Sequence, residues 1–207
     1  MTGASLLTLA VPALLAYLIG GLPFGYWFVR LTLGVDIRTV GSGNIGATNV
    51  HRAAGKKAGI IVLVLDIFKG LLAVWIADRL THGNPVGIGL AASAVMLGHC
   101  YPVFLRFRGG KAVACFIGAF GYIAPLALLV SAVAFLIVVA MSRYISLGSL
   151  MGAFLFPFVY WWINDPPQPL LISAFFAALL IIYRHRANIE RLRSGTEHAF
   201  SLKGNTA

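Results

Sequence analysis

The chain has 207 residues, of which 59% are hydrophobic and 11% charged, and its mean hydropathy is +0.89. Soluble domains carry roughly 45–50% apolar and about 25% charged residues, so the composition excludes a water-soluble globular protein and predicts an integral membrane one. The formal net charge of +10 lies in short loops beside apolar runs, which fits membrane topology and anionic headgroups rather than a nucleic-acid partner.

A helix crosses the hydrocarbon with about 20 residues at about 1.5 Å each. Seven apolar runs predict an all-α, seven-helix transmembrane bundle, with spans at about 5–29, 57–79, 86–104, 112–122, 125–141, 146–163 and 168–184. The first run reads as a span rather than a cleaved signal. No basic residue precedes it, and Gly20, Gly21 and Pro23 fall inside it. The stretch 112–142 is too long for one span and too short for two full ones. Gly118, Gly121 and Pro125 interrupt it, so it is split, leaving a short helix at about 112–122. With that split, every Lys and Arg except Lys69 and Arg79 falls on one side. The positive-inside rule makes that side cytoplasmic and places the N-terminus outside. No repeat or linker divides the chain, so 1–207 reads as a single polytopic domain.

The first cytoplasmic loop, GSGNIGATNVHR at 41–52, is the richest in potential chemistry. Successive backbone N–H groups of a glycine-rich loop can converge on one anion, and Asn44, Thr48, Asn49 and Arg52 add side-chain donors. Gly41, Gly43 and Gly46 spell GxGxxG, with Asp66 at a plausible distance for a ribose-binding acid. The loop follows a membrane span rather than a strand, however, so a dinucleotide fold is rejected. Ala47 and Thr48 stand where a Walker A loop needs Lys and Ser or Thr.

The second loop, GHCYPVFLRFRGGK at 98–111, sets Arg106, Arg108 and Lys111 around Gly109 and Gly110, and the two loops together suggest a bipartite phosphate site. His99 reads as a hydrogen-bonded packing residue. The third loop, RYISLGS at 143–149, offers Arg143, Ser146 and Ser149, with either serine a candidate helix cap. The tail, YRHRANIERLRSGTEHAF at 183–200, supplies His185 and Asn188, which share a face if the last helix continues. Asp66 and Lys69, three apart in the second span, are expected to neutralise each other. Cys100 and Cys115 lack the spacing of a metal site and lie on the reducing side. His51 and His82 have no assigned role.

These four segments, in order and spacing, resemble the signatures of the bacterial acyl-phosphate:glycerol-3-phosphate acyltransferases, the PlsY family. The resemblance covers essentially the whole chain. It implies an enzyme of phospholipid synthesis in the bacterial inner membrane that moves a fatty acyl group from acyl phosphate to the 1-hydroxyl of sn-glycerol 3-phosphate, giving lysophosphatidic acid and inorganic phosphate. By that resemblance Ser42, Asn44, Thr48, Asn49 and the glycines Gly41, Gly43, Gly46, Gly109 and Gly110 cradle phosphate or position the reacting groups. Arg52, Lys111, Ser146, Ser149, His185 and Asn188 bind glycerol phosphate or stabilise the leaving group, and Glu197 belongs to the same binding set. If a protein base is needed, His185 is first choice, with a substrate phosphate oxygen as the alternative.

The chain departs from the family's GGKGVAT pattern at Ala112 and Cys115. It lacks the HxxxxD signature of soluble-donor glycerolipid acyltransferases and a GxSxG nucleophile elbow, so neither a CoA nor a carrier-protein donor is expected. No metal, organic cofactor or obligatory protein partner is predicted. Two other classes compete: a small anion or phosphate transporter, which should carry polar groups near mid-membrane, and a noncatalytic lipid-binding subunit, which needs no concentrated loops.

Overall fold

The computed structural model describes residues 6–200; Lys203, counted above with the basic side, lies outside them. All regular structure there is helical. The first apolar run is a broken helix, α1 (Leu6–Gly20) and α2 (Phe24–Leu33), interrupted around Pro23. Gly34 closes α2 at φ 71°, where a side chain would be strained. Then come α3 (Ala47–Leu80), α4 (Pro85–Cys100), α5 (Val113–Ile123), α6 (Pro125–Ser142), α7 (Ile145–Asn164), α8 (Gln168–Arg184) and α9 (Arg186–Arg193).

Five segments are long and apolar enough to cross a membrane: Leu6–Leu33, Ala47–Leu80, Pro85–Leu105, Pro125–Ser142 and Ile145–Asn164. The bent pair α8 and α9 supplies a sixth when taken together. The helix read as short is short: α5 has 11 residues, about 16 Å of helix against a core of about 30 Å. Pro125 opens α6 at a position where a missing N–H costs nothing. Asn84 caps α4, its Oδ1 accepting from Val86 N at 2.9 Å, with Pro85 following.

Two local differences from the sequence reading matter. The 34 residues of α3 contain Gly55 at φ 86°, ψ 174°, so the loop-bearing turn 47–54 is offset from the membrane-crossing part. The tail does not continue α8 straight, because the chain bends by 55° at His185 before α9.

Between helices in lipid, close packing replaces the hydrophobic effect, and small residues permit it. A Cβ on Gly98 would lie 2.0 Å from Tyr17 O, and one on Gly118 1.9 Å from Ile67 O. These glycines therefore set the α1–α4 and α3–α5 contacts. Phe116, Phe120 and Phe156 join α5 to α7 with centroid distances of 4.8–5.1 Å. Leu129, Val133, Leu136 and Ile137 on α6 are exposed, as a lipid-facing surface would be.

Candidate active site

The four polar segments meet in the wall of a cavity of about 460 Å³. Its wall also includes Ile60 and Leu63 of α3, Phe116 and Ile117 of α5, and Leu128 and Phe135 of α6. Ser42, Asn44, Gly46, Thr48, Asn49, Arg52, Lys111, Ser146, Ser149, His185, Asn188 and Glu197 all line it. A smaller cavity of about 210 Å³ adjoins it, sharing Ser42, Asn44, Lys111 and Asn188 and adding Gly43, Gly109, Arg184, Arg186 and Arg191.

Asn49 builds the first loop. Its Nδ2 lies 2.9 Å from Val40 O, 2.9 Å from Asn44 O and 3.3 Å from Ile37 O, while its Oδ1 accepts from Ser42 N at 2.9 Å. The amide is therefore committed to the loop. Gly41 sits against it at φ 57°, where a Cβ would come within 2.4 Å of Asn49 Oδ1. Gly43 turns at φ 68°, and Gly46 N donates to Asn44 Oδ1 at 2.8 Å. This folding brings Ala47 and Thr48, the first residues of α3, to the cavity wall. A helix N-terminus there favours an anion. Arg52 follows within the same turned segment and has no ion-pair partner among the described residues.

The second loop differs from the sequence reading. The Gly109 and Gly110 N–H groups donate to Cys100 O at 3.2 Å and His99 O at 2.9 Å. Their carbonyls accept from Arg184, Nη2 to Gly109 at 3.0 Å and Nε to Gly110 at 2.9 Å. With donors and acceptors committed, these glycines shape the turn rather than offer amides to phosphate. Arg106 and Arg108 are exposed and line neither cavity. The donors the sequence did not single out are those at the start of α5, where Ala112, Val113 and Ala114 line the cavity beside Lys111. Two helix N-termini thus reach the same cavity.

Lys111 Nζ donates to Asn188 Oδ1. Asn188 Nδ2 donates to Glu197 Oε1 at 2.8 Å, as Ser146 Oγ does at 3.0 Å, and Arg191 Nε donates to Oε2 at 2.8 Å. Burial pulls the Lys111 ammonium down to about 8, opposed by Glu197 and aided by Arg191, Arg52 and Arg184. Burial would push the Glu197 carboxyl up, but the hydrogen bonds from Asn188, Arg191 and Ser146 outweigh it and hold it below its usual range. Neither serine of the third loop caps a helix: Ser146 serves Glu197, and Ser149 Oγ donates to Ile145 O at 2.9 Å. Phe200 N donates to Arg143 O at 2.7 Å, which lays the tail across the α6–α7 turn.

His185 is 3% exposed. Its Nδ1 is 2.8 Å from Ile181 O, an acceptor, so Nδ1 carries the proton and Nε2 holds the lone pair. Burial, then the Lys111 charge, hold the imidazole at about 4, so it is neutral near pH 7. Although the helix bends between them, His185 and Asn188 still line one cavity.

Sequence reading passed over His51, which lines the cavity with its ring 6.0 Å from that of Phe200. It also took Cys115 as a packing residue. Among the described residues, Asp66, His99 and Cys115 bring ligand-type atoms within 4.8 Å of one another. Lys69 Nζ, 2.7 Å from Asp66 Oδ1, already balances the carboxylate there, so the group is not a prepared cation site. The expected Asp66–Lys69 pairing is thus present.

Comparison with known proteins shows the family. The family profile described as glycerol-3-phosphate acyltransferase matches residues 10–195. Glycerol-3-phosphate acyltransferase of Syntrophotalea carbinolica is 45% identical over 187 residues, covering 90% of this chain and 95% of that protein. That of Trichlorobacter lovleyi is 46% identical over 187 residues, covering 89% and 94%. The crystal structure of PlsY, an integral membrane glycerol 3-phosphate acyltransferase, in its glycerol 3-phosphate form superposes with a TM-score of 0.88 at 40% identity, covering 93% of this chain and 95% of that one. The lysophosphatidic acid form gives 0.84 at 37% identity, covering 94% and 96%. The chain belongs to the glycerol-3-phosphate acyltransferase family.

Proposed function

We propose that the protein transfers a fatty acyl group from acyl phosphate to the 1-hydroxyl of sn-glycerol 3-phosphate, releasing lysophosphatidic acid and inorganic phosphate, at the cytoplasmic face of the bacterial cell membrane. The observation that carries this reading is one cavity whose lining combines many apolar side chains with Arg52, Lys111, His185 and the starts of two helices. A long acyl chain needs the apolar lining. Two phosphates need the cations and helix starts, where a partly desolvated site strengthens every charge contact.

Acyl phosphate is a mixed anhydride, so alignment and charge stabilisation do most of the work. The acceptor oxygen bonds to the carbonyl carbon, the anhydride C–O bond breaks, and its electron pair leaves with phosphate. Ser42, Asn44 and Thr48, with the opening of α3, position the donor phosphate; Arg52 and Lys111 neutralise the phosphate charges. Ser146, Ser149, Asn188 and Glu197 surround the glycerol. The lone pair on His185 Nε2 accepts the hydrogen bond of the attacking hydroxyl. The proton then passes to that nitrogen or to a phosphate oxygen of the donor. Among the described residues no serine hydrogen-bonds to His185, and Cys100 and Cys115 are buried, which favours direct attack over an acyl-enzyme.

The test is product formation by purified protein from palmitoyl phosphate and labelled glycerol 3-phosphate. Lysophosphatidic acid and inorganic phosphate should accumulate one to one. Movement of phosphate into proteoliposomes by protein that forms no lysophosphatidic acid would replace this reading with transport. Near-normal turnover of His185→Ala at saturating substrates would remove His185 as the base.

A further inference from the structure

We propose that Lys69, Asp66 and His99 form a buried positioning chain that fixes the Gly109–Gly110 turn and, through it, the ammonium of Lys111; this rests on the reading of Lys111 as a phosphate-binding residue. The chain begins at the break between α1 and α2, where Lys69 Nζ donates to Leu22 O at 2.8 Å. The same ammonium lies 2.7 Å from Asp66 Oδ1, and that oxygen lies 3.8 Å from His99 Nδ1. All three side chains are no more than 4% exposed, although each is polar or charged.

His99 meets the turn in two ways. Its carbonyl accepts the Gly110 N–H at 2.9 Å. Its ring is the floor on which Gly110 rests, since a Cβ there would come within 2.1 Å of His99 Nε2. Arg184 holds the opposite side of the turn through the two glycine carbonyls. Lys111 is the next residue, and its ammonium reaches Asn188. A shift of the imidazole therefore moves the turn, and the turn carries Lys111.

Packing alone does not explain these residues. His99 Nδ1 is buried without a hydrogen-bond partner among the described residues and the Asp66–Lys69 ion pair is buried beside it, and apolar side chains would fill the same space without that cost. Buried polar groups that lower stability are retained where they fix a geometry. Here the geometry fixed is that of the turn before a cavity-lining cation. Asp66 and His99 are assigned as positioning residues, acting through Lys111.

A double-mutant cycle between His99→Phe and Lys111→Arg tests this, read as kcat/KM for glycerol 3-phosphate at saturating palmitoyl phosphate. His99→Phe should raise KM for glycerol 3-phosphate about tenfold while kcat changes by less than about threefold. In the Lys111→Arg background the same replacement should cost less than about twofold. His99→Gln, which keeps an N–H donor, should recover part of the loss. Independent losses that multiply in the double variant would overturn the proposal and leave His99 as packing. If His99→Phe does not fold, Asp66→Asn replaces it in the cycle, with the same two outcomes. An active wild type with multiplying losses defeats the positioning chain alone, whereas a wild type that makes no lysophosphatidic acid defeats the functional reading.

Discussion

Lys111 shows how much one residue's surroundings decide. Burial, aided by the nearby arginines and opposed by Glu197, holds it at about 8, so it is charged below that pH and neutral above. An anionic substrate needs the charged form. Because kcat/KM reports the free enzyme, its value for glycerol 3-phosphate should fall as pH rises through about 8. In Lys111→Arg the guanidinium stays charged, so that limb should move above about pH 10. A limb that remains in place would assign the ionisation to another group. Ala112 carries the second residue-scale expectation. It is fully buried at φ 63°, ψ 4°, a left-handed conformation costing about 1–2 kcal/mol for a side chain. Ala112→Gly relieves that strain but removes a buried methyl worth about 0.8 kcal/mol, so its unfolding temperature in detergent should stay close to wild type. Ala112→Val, β-branched at the same φ, should lose more than about 2 kcal/mol. The residue types at the site were legible in the sequence, but their individual commitments were not. Asn49 and the pair Gly109 and Gly110 looked like phosphate ligands, yet their polar atoms are consumed in shaping loops. Composition records which donors exist, not which acceptors folding brings to them.

Helix existence was legible because seven apolar runs are long and separated by glycine, proline and charge. Each coincides with a helix or a broken helix, and the short one was marked by Gly118, Gly121 and Pro125. The bends were not legible. Gly55 and the His185 junction depend on φ angles that glycine and a capping residue permit but do not require. The resulting offsets matter, since the start of α3 and Asn188 of α9 both line the cavity. Element packing yields a sharper expectation at Gly118, whose missing side chain lets α5 approach Ile67 O. Gly118→Val should separate α3 from α5 and lower stability by about 3 kcal/mol or more. Thermal unfolding in detergent reads that loss, and an unchanged midpoint would show that the helices have room to adjust.

At the scale of the whole molecule, charge asymmetry and hydropathy made a membrane protein with one polar rim legible. The amphipathic cavity was not, because it exists only where segments far apart in sequence converge, as Lys111 and Glu197 do with Thr48. The proposed orientation puts the basic side in the cytoplasm. Both natural cysteines are buried, so introduced ones can be read against low background. A membrane-impermeant maleimide should label exposed Gln168→Cys in intact spheroplasts and reach Ser194→Cys only after permeabilisation; the reverse pattern would place the site outside. The most direct test of the functional account compares palmitoyl phosphate, palmitoyl-CoA and palmitoyl carrier protein as donors to labelled glycerol 3-phosphate, with Lys111→Ala alongside wild type. The account predicts lysophosphatidic acid from palmitoyl phosphate alone, with at least about a hundredfold loss in Lys111→Ala. Equal product from palmitoyl-CoA, or full activity in the folded variant, would contradict it.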